Sequence, residues 1–158
     1  MTIFIHLLLA ASALGLTVAQ VVLLWGADKR FPDPLERVTF LIQTGRRLGP
    51  VMLACLAGNV VTGGFMITDL KASLGTDYLA KMSGPLLWKL GAVFVTFIYA
   101  SGAAMGVGLR MKRLLLAGDI AREPARWVPH VGKALRANII LAIMIIATMW
   151  LGGRLHVR

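Results

Sequence analysis

The stretch MTIFIHLLLAASALGLTVAQVVLLWGA, residues 1–27, contains no Asp, Glu, Lys or Arg. A helix needs about 20 apolar residues to cross about 30 Å of hydrocarbon, so this run is long enough to span a bilayer. Three more uncharged runs follow, at residues 48–68, 90–109 and 137–153. A charge at mid-span would cost about 2.5–3.5 kcal/mol on insertion, and none of the four runs carries one. The shortest run, 137–153, lies between Arg136 and Arg154, whose stems can reach outward to water.

The opening run reads as a spanning helix rather than a cleaved leader. No basic residue precedes its apolar part, and Thr17-Val18-Ala19 is a poor small-residue cleavage site. The expectation is therefore an all-α integral membrane protein of one domain, residues 1–158. It is an up-down bundle of four transmembrane helices at about 3–26, 48–69, 86–109 and 135–153. The single cysteine, Cys55, excludes a disulfide within the chain.

A net charge of +10 invites a nucleic-acid reading, but the placement of the charge argues against one. Lys29, Arg30, Arg37, Arg46 and Arg47 fill the first connection. Arg110, Lys112, Arg113, Arg122, Arg126, Lys133 and Arg136 fill the third. These twelve basic residues fall on one side of a four-span chain and the remaining five on the other. Basic connections stay in the cytoplasm, so both termini are expected in the periplasm. The expected surroundings are the lipid bilayer with its anionic headgroups, and no nucleic acid.

Within the first connection, Pro32-Asp33-Pro34 signals a turn. Leu35, Val38, Leu41 and Ile42 then repeat as a short interfacial helix would, before Gly49-Pro50 opens the second span. Ser83-Gly84-Pro85 reads as the start of helix three. Gly118 is placed to end a cytoplasmic extension of that helix, and Pro124 and Pro129 to break the chain before helix four.

Lipid gives helices no hydrophobic reason to associate, so small and polar residues decide which faces meet. One such stripe runs along each helix: His6, Ala10, Ala13, Thr17 and Gln20; Cys55, Asn59, Thr62 or Gly63, and Met66; Lys89, Ala92, Thr96, Tyr99, Ala103 and Gly106; Asn138, Ile145, Thr148, Gly152 and His156. These are expected to face the bundle interior, with Gln20 and Asn59 bonding across helices. The small-residue patterns Ala11-xxx-Gly15-xxx-Ala19 and Gly102-xxx-Gly106 are expected to pack within the chain rather than between copies.

The alternating topology brings His6, Asp69, Lys89 and His156 to the periplasmic mouth, near the level of Met66, Met82 and Met149. Two imidazoles suit axial ligation of haem iron. Imidazole with thioether sulfur, from His6, His156 and Met66, would instead suit copper. The ordinary alternative is that these groups merely sit at headgroup depth, with Lys89 snorkelling and paired to Asp69. His130, beside Pro129, reads as a solvated loop residue. No ionisable residue lies at mid-depth, which argues against a pump or ion-coupled transporter. No nucleophile motif, phosphate loop or paired catalytic carboxylates is present, so catalytic residues stay unassigned and enzymatic activity stays open.

Several short motifs resemble one superfamily. They are IHLLLAASALG at residues 5–15, Arg46-Arg47-Leu48-Gly49-Pro50 leading to Val61-Thr62-Gly63-Gly64, Trp88-Lys89-Leu90, and Leu135-Arg136-Ala137-Asn138. The chain is similar, across all four spans, to the copper-resistance protein D and J-type protoporphyrinogen oxidase group of small bacterial membrane proteins. It departs from that pattern where Ala13 or Leu14 stands in place of a usual Trp, and where Ile139 rather than Pro follows Asn138. The resemblance implies a multi-pass protein of the bacterial inner membrane, with haem b held partly by His6 and with Lys89 as a site residue. Three functional readings follow: a haem-binding redox protein or anchor using His6, Lys89 and His156; a copper uptake or handling protein; and a non-catalytic subunit of a larger membrane complex or homo-oligomer.

Overall fold

The computed structural model describes residues 2–103 and 108–154, and among them there are helices and no strands. Helix α1 covers Thr2–Trp25, and one turn, α2, follows at Ala27–Arg30. Helix α3 runs Pro34–Ser101, broken at Gly75 into a first limb, 34–74, and a second, 76–101. Short helices α4 (Gly108–Leu116), α5 (Asp119–Arg122) and α6 (Pro124–Trp127) lead to α7, Pro129–Arg154.

Three segments, Thr2–Trp25, Pro34–Ser73 and Pro124–Gly152, are long and apolar enough to cross a membrane. The fourth apolar stretch is helical over Leu86–Ser101 and falls short of that length among the described residues. Large apolar side chains cover the outside: Phe4, Trp25, Phe65, Trp88, Phe94 and Trp150 are all exposed. Monomeric soluble proteins rarely leave apolar surface so extensive open to water. It is what a lipid surround requires.

The interior is held in two clusters. Ala13, Met52, Ala100, Leu141 and Ile145 form one, and Leu24, Val38, Leu41, Ile42, Met111, Ile120 and Val131 are members of the other. Each of the four apolar stretches, with its flank, contributes to both. Because Met52 and Ala100 share a cluster while Gly75 lies midway between them, the two limbs of α3 must fold back on each other at Gly75. Gly75 takes φ 77° and ψ 176°, a region essentially reserved to glycine.

The inward stripes are those the spacing predicts. On α1 the buried residues are Ala10, Ala13, Thr17, Gln20 and Leu24. Cys55, Asn59, Thr62, Gly63 and Met66 are half-buried, as are Lys89, Ala92 and Tyr99, while Thr96 is buried. Asn138, Thr148 and Gly152 are half-buried on α7, and Ile145 is buried. Gly106 and His156 lie outside the described residues. Ala13 is fully buried against Met52 and Leu141. Ala13→Leu is expected to cost about 1–3 kcal/mol by overpacking, read as a lower thermal midpoint in detergent. Ala147→Leu, on the exposed side of α7, should stay within about 0.5 kcal/mol of the parent.

Ser83-Gly84-Pro85 does not open a helix but lies inside the second limb of α3, 76–101. Three further expectations need correcting. First, residues 34–47 are not a separate interfacial helix: α3 runs without a break from Pro34 through Gly49-Pro50. Its start is well made, with Asp33 accepting from Leu35 N–H and Glu36 N–H, both at 3.3 Å, and Pro34 in the first turn. Second, Pro124 and Pro129 open helices rather than merely interrupting the chain. Third, Ala11, Gly15 and Ala19 all lie on the exposed face of α1. The inward face goes instead to the stripe with His6 and Thr17, which are hydrogen-bonded there. Gly118, at φ 78°, does end α4 in the left-handed conformation expected of it.

Candidate functional site

The Thr2 end of α1 is fastened to α3 through one residue. His6 Nδ1 lies 3.0 Å from Thr62 Oγ1, and Asn59 Nδ2 donates to the His6 carbonyl at 2.8 Å. Residues 58, 59, 62 and 63 share one face of α3, and two of the four are glycines. A Cβ on Gly58 would stand 3.0 Å from Leu9 Cδ1, and one on Gly63 3.3 Å from His6 Cε1. The helices approach this closely because positions 58 and 63 on that face carry no side chain.

The hydrogen bonding selects a tautomer of His6. Thr62 Oγ1 has one proton and faces the carbonyls of Gly58 at 2.9 Å and Asn59 at 3.1 Å. With the proton directed there, the oxygen accepts from His6 Nδ1–H. Nε2 then keeps its lone pair. Such a ring is a preset ligand or proton acceptor, since metal-binding histidines commonly have the other nitrogen fixed in this way.

Lys89, on the second limb of α3, is half-buried and within electrostatic reach of His6. It crosses to α7, where a Cβ on Gly152 would stand 3.1 Å from Lys89 Nζ. Glycine at 152 therefore makes room for the ammonium.

No family model, curated protein or solved structure matches the chain. The site must be read from its own geometry.

Of the residues singled out by sequence, His6 and Lys89 come together. Met66 is four residues beyond Thr62 on the same half-buried face of α3. His156 lies outside the described residues, and so does the side chain of Met82. Met149 and Asp69 are exposed, and among the described residues no ion pair joins Asp69 to Lys89. Asn59 does bond across helices, to α1; Gln20 makes no such bond among the described residues.

Sequence reasoning missed a second site. Toward the Trp25 end lies a cavity of about 450 Å³ with mostly apolar walls, lined by Gln20 of α1, Thr44 and Tyr99 of α3, and His130 and Asn138 of α7 among others. His130 is half-buried on the first turn of α7, its ring 5.2 Å from that of Trp127, and is not a solvated loop residue. A signal for it existed. Positions 130, 134, 138 and 141 continue the inward stripe of helix four, and Pro129 is a helix-opening residue.

Proposed function

We propose that the chain is a four-span protein of the bacterial inner membrane that holds a b-type haem near the Thr2 end of α1, with His6 Nε2 as the atom that would hold the iron. The observation that carries this reading is the His6–Thr62 hydrogen bond, which leaves Nε2 free to coordinate.

A porphyrin asks fewer donors of the protein than a bare ion does. Among the described residues no group of three or more His, Cys, Asp or Glu is gathered to hold a metal. A porphyrin brings four nitrogens of its own, so the protein need supply only one or two. Copper, the alternative, would be held by His6, His156 and Met66, two imidazoles and a thioether. His156 would be a second candidate to hold the iron, and the Lys89 ammonium is suited to a porphyrin carboxylate. Bound haem would supply one-electron redox chemistry. The chain's own part is to fix the His6 ring through Thr62, keep the helices close through Gly58 and Gly63, and set a positive charge at Lys89.

The sidedness follows from the basic connections, which keep residues 28–47 and 110–136 in the cytoplasm and leave the haem end facing the periplasm. The test is an absorption spectrum of protein purified after haem-replete expression, oxidised and then reduced with dithionite. A Soret band that shifts on reduction is expected. A protein with no Soret band would end this reading.

A further inference from the structure

Two polar atoms are buried without a hydrogen-bond partner among the described residues: Gln20 Nε2 and His130 Nδ1. Both residues line the cavity at the Trp25 end. They belong to different helices, α1 and α7, so they approach it from different sides. Gln20 as a whole is 6% exposed. Buried polar groups in native proteins are nearly always satisfied, by protein, by water or by a ligand. Two orphans around one apolar space indicate what the space is shaped to receive.

The chemistry of the walls narrows the ligand. Gln20 Nε2 offers N–H donors, and His130 Nδ1 donates or accepts according to tautomer. Leu24, Leu41, Met52 and Leu141 supply apolar surface. Among the described lining residues the one cation, Lys133, is exposed and so belongs to the rim rather than the interior. No buried positive charge is therefore available to neutralise an anionic head among the described lining residues. These walls suit an uncharged, oily ligand with an acceptor facing Gln20 Nε2 and a polar atom facing His130 Nδ1. Small-molecule pockets run to about 300–1,000 Å³, and this volume suits a substituted ring rather than a whole lipid.

We propose that the cavity between α1, α3 and α7 binds a quinone-class ring, one carbonyl oxygen accepting from Gln20 Nε2 and the other facing His130. The site is separate from the His6 end and does not depend on haem. Its apolar walls match a ligand that arrives through the bilayer.

Trp127 beside His130 provides the readout, because quinones quench indole fluorescence. A short-chain benzoquinone is titrated into the full-length protein in detergent. Saturable quenching is expected in the parent and should be lost with Trp127→Phe. Gln20→Leu keeps the bulk and removes the donor, and should weaken binding about tenfold, the effect of one hydrogen bond to a buried group. Ala137→Phe keeps every polar group and fills the space; it should abolish binding. Lys133→Ala and His6→Ala should leave the affinity within about twofold. Circular dichroism checks that each variant is folded, and Ala137→Phe serves if Gln20→Leu is not. The proposal is overturned if the parent shows no saturable quenching, which would mean that water alone fills the cavity, or if a folded Ala137→Phe binds as the parent does. It is equally overturned if a folded Gln20→Leu binds undiminished, or if laurate binds more tightly than the quinone and depends on Lys133.

Discussion

Gly75→Ala is expected to destabilise the bundle by about 1–3 kcal/mol, the cost of holding a non-glycine residue in that backbone region. A Cβ there would meet nothing within 4 Å, so no clash contributes and the penalty is conformational alone. It is also the one non-helical position inside the 68-residue α3. Alanine is favoured over glycine in a helix by about 1 kcal/mol, so the substitution also rewards the wrong shape. A straightened α3 would be a rod of about 100 Å, unable to bring Ala100 back to Met52. The measurement is the thermal midpoint in detergent, with Gly84→Ala as comparison. Gly84 is exposed and helical, and alanine there should be neutral or stabilising. Equal midpoints for Gly75→Ala and the parent would refute the hairpin reading.

At the other site, His6→Ala is expected to remove the Soret band altogether, and Thr62→Val to lower haem affinity about 10–100-fold, the usual cost of losing a ligand's orienting partner. Valine matches threonine in volume, so Gly58, Gly63 and Leu9 keep their packing. Only the hydroxyl that anchors Nδ1 goes. The ring then loses both its fixed tautomer and its fixed orientation. Haem titration into the two variants separates the outcomes. Parent-like affinity in Thr62→Val would mean that the 3.0 Å bond serves helix packing only.

The bundle's inward faces were legible because lipid makes polarity decisive. Thr17 is fully buried, donating to the Ala13 carbonyl at 2.8 Å and lying 3.4 Å from Met52 Sδ. A hydroxyl at that depth has nowhere else to turn. The same logic selected His6, Asn59 and Thr96 correctly. It failed at Ala11, Gly15 and Ala19, whose spacing alone says nothing about which of two faces is used. The cavity was illegible for a different reason. It is made by what α1, α3 and α7 do not fill, and no local pattern records a void. His130 was lost because Pro129 was read as a breaker, which hid the first two turns of α7.

The two interior clusters lie in different solvents. Around Leu24, Val38 and Ile120 the exposed residues include Asp28, Lys29, Arg30, Glu36, Lys112, Arg113 and Arg122, so that end meets water. Arg37 binds it together, donating to the carbonyls of Phe31, Asp28 and Pro32. Cohesion in that cluster comes from expelling water, which urea weakens, whereas the cluster around Ala13 sits among acyl chains or detergent. Chemical denaturation should therefore proceed in stages, with the wet cap melting first and the oily helical core around Ala13 surviving it. A single unfolding free energy for this molecule would average two unlike solids.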